Sequence, residues 1–173
     1  MHKSAFGFTL IELLIVISIM VTVGVFSLAN YESFGEDQKL KSAVLDVQSI
    51  LRNAQTNATT NVECDTEHSA TWQVEFADTE TINLKCQKPL DSSILIKGSK
   101  LDANIGIDAV YGVLSVDCPS VPPPSFTISF APLDGKITLG ETDCKLLTIT
   151  FTNINTNTTK SLIIEQGGRI YAQ

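Results

Sequence analysis

A single carboxylate inside an apolar run near the start of the chain constrains the fold more than any other feature. From Phe8 to Ala29, Glu12 is the one charged residue. A helix over this run would extend about 33 Å at ~1.5 Å per residue, enough to cross a hydrocarbon core of about 30 Å. An ionised side chain within such a span costs up to about 3 kcal/mol. The run therefore predicts a membrane-length helix whose one charge needs a cationic partner.

Proteolysis between Gly7 and Phe8 would supply that partner. It would create an α-amino group four residues before Glu12, and in a neighbouring subunit this cation could lie beside the carboxylate. Lys3 lies too far back in the chain to be a dependable partner. The chemistry therefore indicates processing followed by assembly.

These residues resemble the class III signal of type IV prepilins and pseudopilins. The features that carry the resemblance are a short basic leader, Gly7 before the cleavage point, Phe8 after it, and Glu12 at the fifth position of the mature chain. The resemblance implies that a prepilin peptidase removes residues 1–7 and methylates the amino group of Phe8. It also implies that Glu12 forms the assembly salt bridge that recruits and registers the next subunit.

Two other interpretations of the N-terminus remain open. Ser27-Leu28-Ala29 is a passable cleavage site for a secretory signal peptide, although the apolar run exceeds the ~7 to 15 residues usual for one. The second alternative is a plain anchor for a periplasmic domain unrelated to filaments. Neither explains Glu12. The mass of the mature chain distinguishes the three, because the chain would begin at residue 8, 30 or 1.

Charge on either side of the apolar run predicts its orientation. Lys3 precedes the run, while Glu32, Glu36 and Asp37 follow it, so the positive-inside rule leaves the leader in the cytoplasm. We expect a single pass through the inner membrane and then a periplasmic or extracellular filament. The net charge of −7, or −8 without Lys3, argues against a generic nucleic-acid binder, which would be basic.

A helical pattern continues beyond the anchor. Apolar residues recur at steps of three and four and form one stripe: Leu40, Val44, Val47, Leu51, Ala54 and Ala58. The pattern fades at Thr59-Thr60-Asn61, so one helix is expected from Phe8 to Thr59. The predicted regions are a leader over 1–7, a transmembrane and assembly half of the helix over 8–29, its amphipathic half over 30–60, and a globular head over 61–173.

The rest of the chain alternates apolar and polar residues in short runs, which predicts strands. Pro132-Leu133-Asp134-Gly135 and Gly167-Gly168 are expected turns, and the proline-rich segment Cys118–Pro124 is an expected loop. We therefore expect an α+β fold in which the long helix packs on an antiparallel β-rich head. The expected strands are Thr71–Phe76, Thr81–Cys86, Ile94–Lys97, Val110–Val116, Phe126–Phe130, Lys136–Leu139, Leu146–Phe151, Lys160–Ile164 and Arg169–Tyr171.

The C-terminal half resembles H-type minor pseudopilins and T-type fimbrial minor pilins. The strand Ile128–Phe130, the turn Asp134-Gly135 and the pair Gly168-Arg169 carry this resemblance. It implies a type IV pilin-like fold and a low-copy subunit that takes part in filament assembly, priming or tip function. The implied partners are other pilin or pseudopilin subunits, the prepilin peptidase and the inner-membrane assembly platform. A type IV pilus and a type II secretion pseudopilus share this subunit design.

Four cysteines lie in the part expected to be exported: Cys64, Cys86, Cys118 and Cys144. An even number in an oxidising compartment predicts two disulfides, for which three connectivities exist. We expect sequential pairing, Cys64–Cys86 and Cys118–Cys144, because it closes two loops of moderate size.

The sequence contains no motif for catalysis or for a cofactor. It has no Gly-x-Ser-x-Gly elbow, phosphate loop or His-Glu-x-x-His run, so we expect neither enzymatic activity nor a cofactor. No metal site is expected either, because there is no Cys-x-x-Cys pair and His68 is the one histidine beyond the leader. Cys64 and His68 could be taken as a nucleophile and its base. Cys64 is better explained as half of a disulfide and His68 as an exposed, inert residue.

A group of lysines is the candidate phosphate contact. It comprises Lys85, Lys88, Lys97 and Lys100, and Asp91 is the one acidic residue among them. The T-type minor pilins that the chain resembles can bind DNA through a basic C-terminal region, but here that region offers only Arg169. A lysine run is more often a solvated surface, so nucleic acid is not an expected partner. A DNA-binding or adhesive minor pilin is the alternative function.

Overall fold

The structure, a computed structural model, describes residues 8–89, 92–112, 125–139 and 144–173, with side chains for all of these except 26–33 and 111–112. The chain divides into two compact units, Met1–Glu36 and Asp37–Gln173, and the helix α1 contributes residues to both. The described elements are α1 (Leu10–Thr59), β1 (Thr71–Phe76), β2 (Thr81–Gln87), β3 (Ser93–Lys100), β4 (Ile105–Gly112), β5 (Phe126–Phe130), β6 (Ile137–Leu139), β7 (Leu146–Asn153), β8 (Thr159–Glu165) and β9 (Ile170–Ala172).

Helix α1 ends where the sequence predicts, and the residues that follow explain why. Asn61 adopts a φ of 55°, a left-handed conformation that asparagine tolerates better than most residues. The Asn61 N–H donates to Ala58 O and the Val62 N–H donates to Asn57 O, the two bonds of a Schellman motif. The motif satisfies carbonyls at the helix end and turns the chain towards β1.

The apolar stripe of α1 is buried in the second unit, as predicted. All six stripe residues lie in the core, together with Ala43, which the stripe did not include. Exposed residues such as Asn53 occupy other faces. Burial of this stripe joins α1 to the sheets through the hydrophobic effect, which contributes about 25 cal/mol per Å² of apolar surface.

The strands form two antiparallel sheets. The first has the order β3-β2-β1-β5-β6 and the second the order β4-β7-β8-β9. Strands β1, β2, β5 and β7 alternate buried and partly exposed side chains, because successive residues of a strand point to opposite faces. The buried residues of both sheets and of α1 belong to one hydrophobic core.

Long-range pairings connect the predicted hairpins. β1 pairs with β5 in antiparallel register from Trp72↔Phe130 to Phe76↔Phe126, and the Phe76 and Phe126 rings stack with centroids 4.5 Å apart. β4 pairs with β7 along its whole described length. The antiparallel β-rich head on a long helix is therefore confirmed, and its division into two sheets is a finding of the structure.

Several strand limits differ from the predictions. β3 is longer than the predicted strand Ile94–Lys97, because β3 pairs with β2 along its whole length. The register of this pairing shifts once, between Leu84 and Lys85 of β2. β4 begins earlier than predicted, at Ile105, where pairing with β7 starts; residues 113–116 of the predicted strand lie outside the described residues. β9 begins at Ile170 rather than at Arg169. The predicted loop 118–124 also lies outside the described residues.

Two turns contact the C-terminal half of α1. In the β5–β6 turn, the Leu133 N–H donates to Ala58 O at 3.0 Å. In the turn before β9, the Gln55 Nε2 donates to Gly168 O at 2.9 Å. Both turns were predicted from glycine and proline content, and both attach a sheet to the helix.

Candidate functional site

The N-terminal unit holds its carboxylate in a capping box. The Thr9 N–H and hydroxyl donate to Glu12 Oε2 at 2.9 and 2.8 Å, and the Glu12 N–H donates to Thr9 Oγ1 at 3.3 Å. This is the reciprocal arrangement that Ser/Thr-x-x-Glu forms at the start of a helix. It explains why α1 begins at Leu10 rather than at Phe8, because Thr9 is the N-cap. The Thr-x-x-Glu spacing of Thr9 and Glu12 is a sequence signal that predicts this capping box.

Apolar side chains cover the described part of the first unit. Large apolar residues from Leu10 to Val25 are exposed, and the hydroxyl groups among them turn back to the helix. Ser18 Oγ donates to Leu14 O at 2.8 Å, and Thr22 Oγ1 donates to Ser18 O at 3.0 Å. These bonds satisfy the hydroxyl groups of Ser18 and Thr22 within the otherwise apolar surface.

Among the described residues, no helix combines the length and the apolarity needed to cross a membrane. The predicted span 8–29 includes residues 26–29, whose side chains lie outside the description.

Of the two residues at the predicted cleavage site, the structure describes Phe8 but not Gly7. Gly7 and the rest of the leader lie outside the described residues, whereas Phe8 is 83% exposed and precedes the N-cap. The chain at Phe8 is therefore accessible in this unit. The cleavage point, the methylation of Phe8 and the role of Glu12 stay predictions.

The lysines of the candidate phosphate contact have carboxylate partners that are distant in sequence. Lys85 Nζ lies 2.7 Å from Glu75 Oε2, Lys88 Nζ lies 2.9 Å from Asp65 Oδ2, and Lys100 Nζ lies 3.1 Å from Glu80 Oε2. The fourth, Lys97, is exposed on the edge strand β3. The local positive charge seen in the sequence is thus largely balanced by acidic residues on β1 and in the loops that flank it.

Glu75 is the best-enclosed of these carboxylates. The Lys85 ammonium group and then the Asn83 amide donate to it, and these hydrogen bonds lower the pKa of Glu75 below its ordinary value. A charge-assisted pair of this kind is stronger than a neutral hydrogen bond. It lies on the outer face of the first sheet, where β1 and β2 pair.

The predicted disulfide Cys64–Cys86 is present, and both cysteines are fully buried. It joins the segment after α1 to β2. Cys144 is also buried and disulfide-bonded, while Cys118 of the second predicted pair lies outside the described residues. Because Cys64 is bonded, its sulfur is not a thiolate nucleophile.

His68 lies on the surface, within the loop that this disulfide closes. Its Nε2 is 3.1 Å from Glu63 Oε1, and its Nδ1 is 3.3 Å from Asn61 O. No group of three or more His, Cys, Asp or Glu residues in the described ranges is arranged to hold a metal ion. The disulfide and the contact between His68 and Asn61 O hold the segment between α1 and β1 in place.

Comparisons with known proteins bear on both ends of the chain. Residues 2–28 match the family model described as the prokaryotic N-terminal methylation motif. The fold is similar to that of the minor pseudopilin EpsH from the type 2 secretion system of Vibrio cholerae, with a TM-score of 0.54 and 8% sequence identity. The match covers 78% of this chain and 96% of that one. No curated protein sequence matches the chain.

The chain therefore carries the N-terminal methylation motif of type IV prepilins on a pilin-like fold. The predicted resemblance of the N-terminus to type IV prepilins is confirmed, and the fold agrees with the predicted resemblance to H-type minor pseudopilins, whereas the resemblance to T-type minor pilins stays a prediction. The motif and the fold are those of structural, non-enzymatic subunits, in agreement with the sequence analysis.

Proposed function

We propose that this chain is a minor subunit of a type IV filament, trimmed by a prepilin peptidase and incorporated in low copy. The observation that carries the proposal is the Thr9–Glu12 capping box within the matched methylation motif. It presents a carboxylate at a fixed place in a helix that is otherwise apolar from Phe8 to Ala29. The pilin-like fold of the head supports the same function.

The assembly bond joins Glu12 of one subunit to the amino group of Phe8 in a neighbour. Both donor groups of Thr9 act on Oε2 of Glu12, and within the described part of the chain Oε1 accepts no hydrogen bond. One oxygen is thus held in place while the other remains available to a cation. In a low-dielectric environment a charge-assisted bond is stronger than in water, and an unpaired charge is more costly. Cleavage between Gly7 and Phe8 creates that cation.

The order of events follows from this chemistry. The peptidase removes residues 1–7 at the cytoplasmic face and methylates Phe8, and the apolar half of the helix anchors the subunit in the inner membrane. The assembly platform then brings subunits together, their helices bundle in the filament core, and the β heads face outward. The partners are other pilin or pseudopilin subunits.

Substitution of Glu12 tests the proposal. Glu12→Gln keeps an oxygen that can accept from Thr9 but removes the charge, whereas Glu12→Ala removes both. We expect both variants to insert in the membrane normally, and the fraction found in sheared filaments to fall about tenfold or more, equivalent to about 1.4 kcal/mol. Glu63→Gln, which removes an exposed charge from the head, is the matched control and should assemble normally.

Mass spectrometry of the purified mature chain provides an independent measurement. We expect a chain that begins at Phe8 and carries one additional methyl group. Recovery of the uncleaved chain from cells with an active peptidase, or normal assembly of Glu12→Gln, would contradict the proposal.

A further inference from the structure

The two arginines of the chain line one cavity in the head. Lysine and arginine together number 12, and only two of these residues are arginines, Arg52 on α1 and Arg169 just before β9. The fold brings both to a cavity of about 450 Å³ beside the C-terminal half of α1. A guanidinium group carries its donors in a planar fork that matches the two oxygens of a carboxylate, whereas an ammonium group is a compact point charge. The placement of the arginines therefore indicates recognition of an oxyanion.

Arg52 has donors that the fold does not need. Its Nη2 donates to Ile170 O at 3.3 Å, and within the part of the chain that the structure describes it contacts no carboxylate. Gln48 Nε2 donates to the same carbonyl oxygen, also at 3.3 Å. Ile170 O would thus keep a donor without Arg52, so satisfying this carbonyl does not require an arginine. The Ile170 contact holds the side chain at the cavity with a positive charge that no described acidic residue contacts.

The side chain of Arg169 is held by a carboxylate of the chain itself. Arg169 Nε donates to Glu165 Oε2 and Arg169 Nη2 donates to Glu165 Oε1, both at 2.9 Å, which makes the pair bidentate. The Tyr171 hydroxyl also donates to Glu165 Oε1, at 3.3 Å. Glu165 therefore orients two side chains that line the cavity. The Nη1 group of Arg169 makes no hydrogen bond in the described chain and is available to a ligand.

The lining of the cavity favours an acidic side chain over a free anion. Its charged members are the two arginines, and buried Ile170 and the Tyr171 ring add apolar surface. An aspartate or glutamate side chain carries its carboxylate on an apolar stem and so matches both features. The cavity is open, because Arg52, Thr56, Arg169 and Tyr171 are all exposed. Sites for small molecules enclose most of the ligand, whereas an open cavity admits a side chain that belongs to another protein.

We propose that this cavity binds the carboxylate of an aspartate or glutamate side chain on a neighbouring filament subunit. The Arg52 guanidinium group is the main contact, and Arg169 Nη1 is a second donor. The inference rests on the proposed function, and adds a contact surface on the head and the chemistry of its partner. Complementary charge of this kind gives an interface its specificity and its register.

Substitution of Arg52 separates docking from folding. Because Gln48 continues to donate to Ile170 O, Arg52→Gln should change the Tm of the full-length chain in detergent by less than about 2 °C. Its incorporation into filaments should fall about fivefold or more, since a charge-assisted pair with the partner is lost. Arg52→Lys keeps the charge without the fork and should be incorporated at an intermediate level. Lys41→Gln removes the same charge from an exposed position of α1 outside the cavity, and this matched control should assemble normally.

A zero-length cross-link identifies the partner. A carbodiimide joins an amine to a carboxylate in contact with it but does not couple a guanidinium group, so the wild-type chain gives no product at position 52. In intact filaments, Arg52→Lys should give an amide bond between position 52 and an aspartate or glutamate of a neighbouring subunit, identified by mass spectrometry after digestion. Asn53→Lys places an amine at an exposed position of α1 outside the cavity and should not give this product.

Three results would overturn the inference. These are normal incorporation of Arg52→Gln, a fall in its Tm of more than about 2 °C, or a cross-link from Arg52→Lys that stays within its own chain. If Glu12→Gln is excluded from filaments while Arg52→Gln assembles normally, the docking role of the cavity fails and the filament function stands. If the wild-type chain never enters filaments, both proposals fail.

Discussion

Gly135 lies so close to Thr59 that a Cβ atom at this position would be 2.5 Å from the Thr59 Cγ2. The φ of Gly135 is +64°, which also favours glycine. Gly168 has a comparable role, with a φ of +94° and with Gln55 Nε2 3.1 Å from where its Cβ would be. The two glycines that carry the C-terminal resemblance thus lie in turns where an added side chain would meet α1.

This contact predicts a large effect for one added methyl group. Gly135→Ala should lower the free energy of unfolding by about 2–4 kcal/mol, from backbone strain together with overpacking against Thr59. Urea unfolding of the full-length chain in detergent measures the loss.

The double variant with Thr59→Ser isolates the steric part. Serine lacks the Cγ2 but keeps the hydroxyl that donates to Gln55 O, so Thr59→Ser alone should change stability by less than about 0.5 kcal/mol. Combined with Gly135→Ala, it should recover about 1 kcal/mol or more. Strict additivity of the two substitutions would show that the close contact does not limit the turn.

The Cys64–Cys86 disulfide closes a loop with a sequence separation of 22 and should stabilise the head by about 3 kcal/mol. The double variant Cys64→Ala/Cys86→Ala should lose about this amount in denaturant unfolding, without the reduction of Cys144. Because both sulfurs are buried, the alanines also leave a small cavity. A loss well under 1 kcal/mol would mean that hydrogen bonds such as Asn61–Ser69 already fix this loop.

The Glu75–Lys85 pair predicts a defined pH dependence. The pKa of Glu75 is lower in the folded chain than in the unfolded chain, where it is about 4.3, so the ionised carboxylate stabilises the fold above that value. The contribution is lost as pH falls through the folded pKa. Glu75→Gln should therefore be less stable than the wild type at pH 7, by on the order of 1 kcal/mol, and this difference should shrink at a pH well below about 4.3, as the carboxylate becomes protonated in the folded chain. A constant difference at both pH values would exclude this carboxylate as the cause.

Local patterns in the sequence predicted most of the secondary structure. The stripe from Leu40 to Ala58 indicated the buried face of α1, and alternation indicated β1, β2, β5 and β7, because helices and strands have periods that a single segment displays. The loop between α1 and β1 was harder to interpret, since its conformation depends on a disulfide and on left-handed Asn61, Asp65 and Ser69.

Pairings between distant segments could not be predicted from local sequence patterns. Nothing local in β1 specifies that Trp72 pairs with Phe130, or that β4 joins the sheet of β7. The charge balance around the lysines is invisible for the same reason, because Glu75, Asp65 and Glu80 reach them only through tertiary structure. The Thr9–Glu12 capping box, in contrast, was a local signal that could have been identified.

The lysine group leads to a prediction for nucleic acid. A lysine that contacts a phosphate releases a counterion from the nucleic acid, and this release supplies binding free energy. Here Lys85, Lys88 and Lys100 already contact carboxylates, and the chain carries a net charge of −7. Labelled duplex DNA should therefore show no saturable binding at physiological salt, with any Kd weaker than about 10⁻⁴ M by fluorescence anisotropy. Lys97→Gln, at the exposed edge of β3, should leave this result unchanged. Binding that falls steeply with salt and disappears in Lys97→Gln would instead support a DNA-binding pilin. In that case the other three lysines would have to exchange their carboxylate partners for phosphates and act together with Lys97.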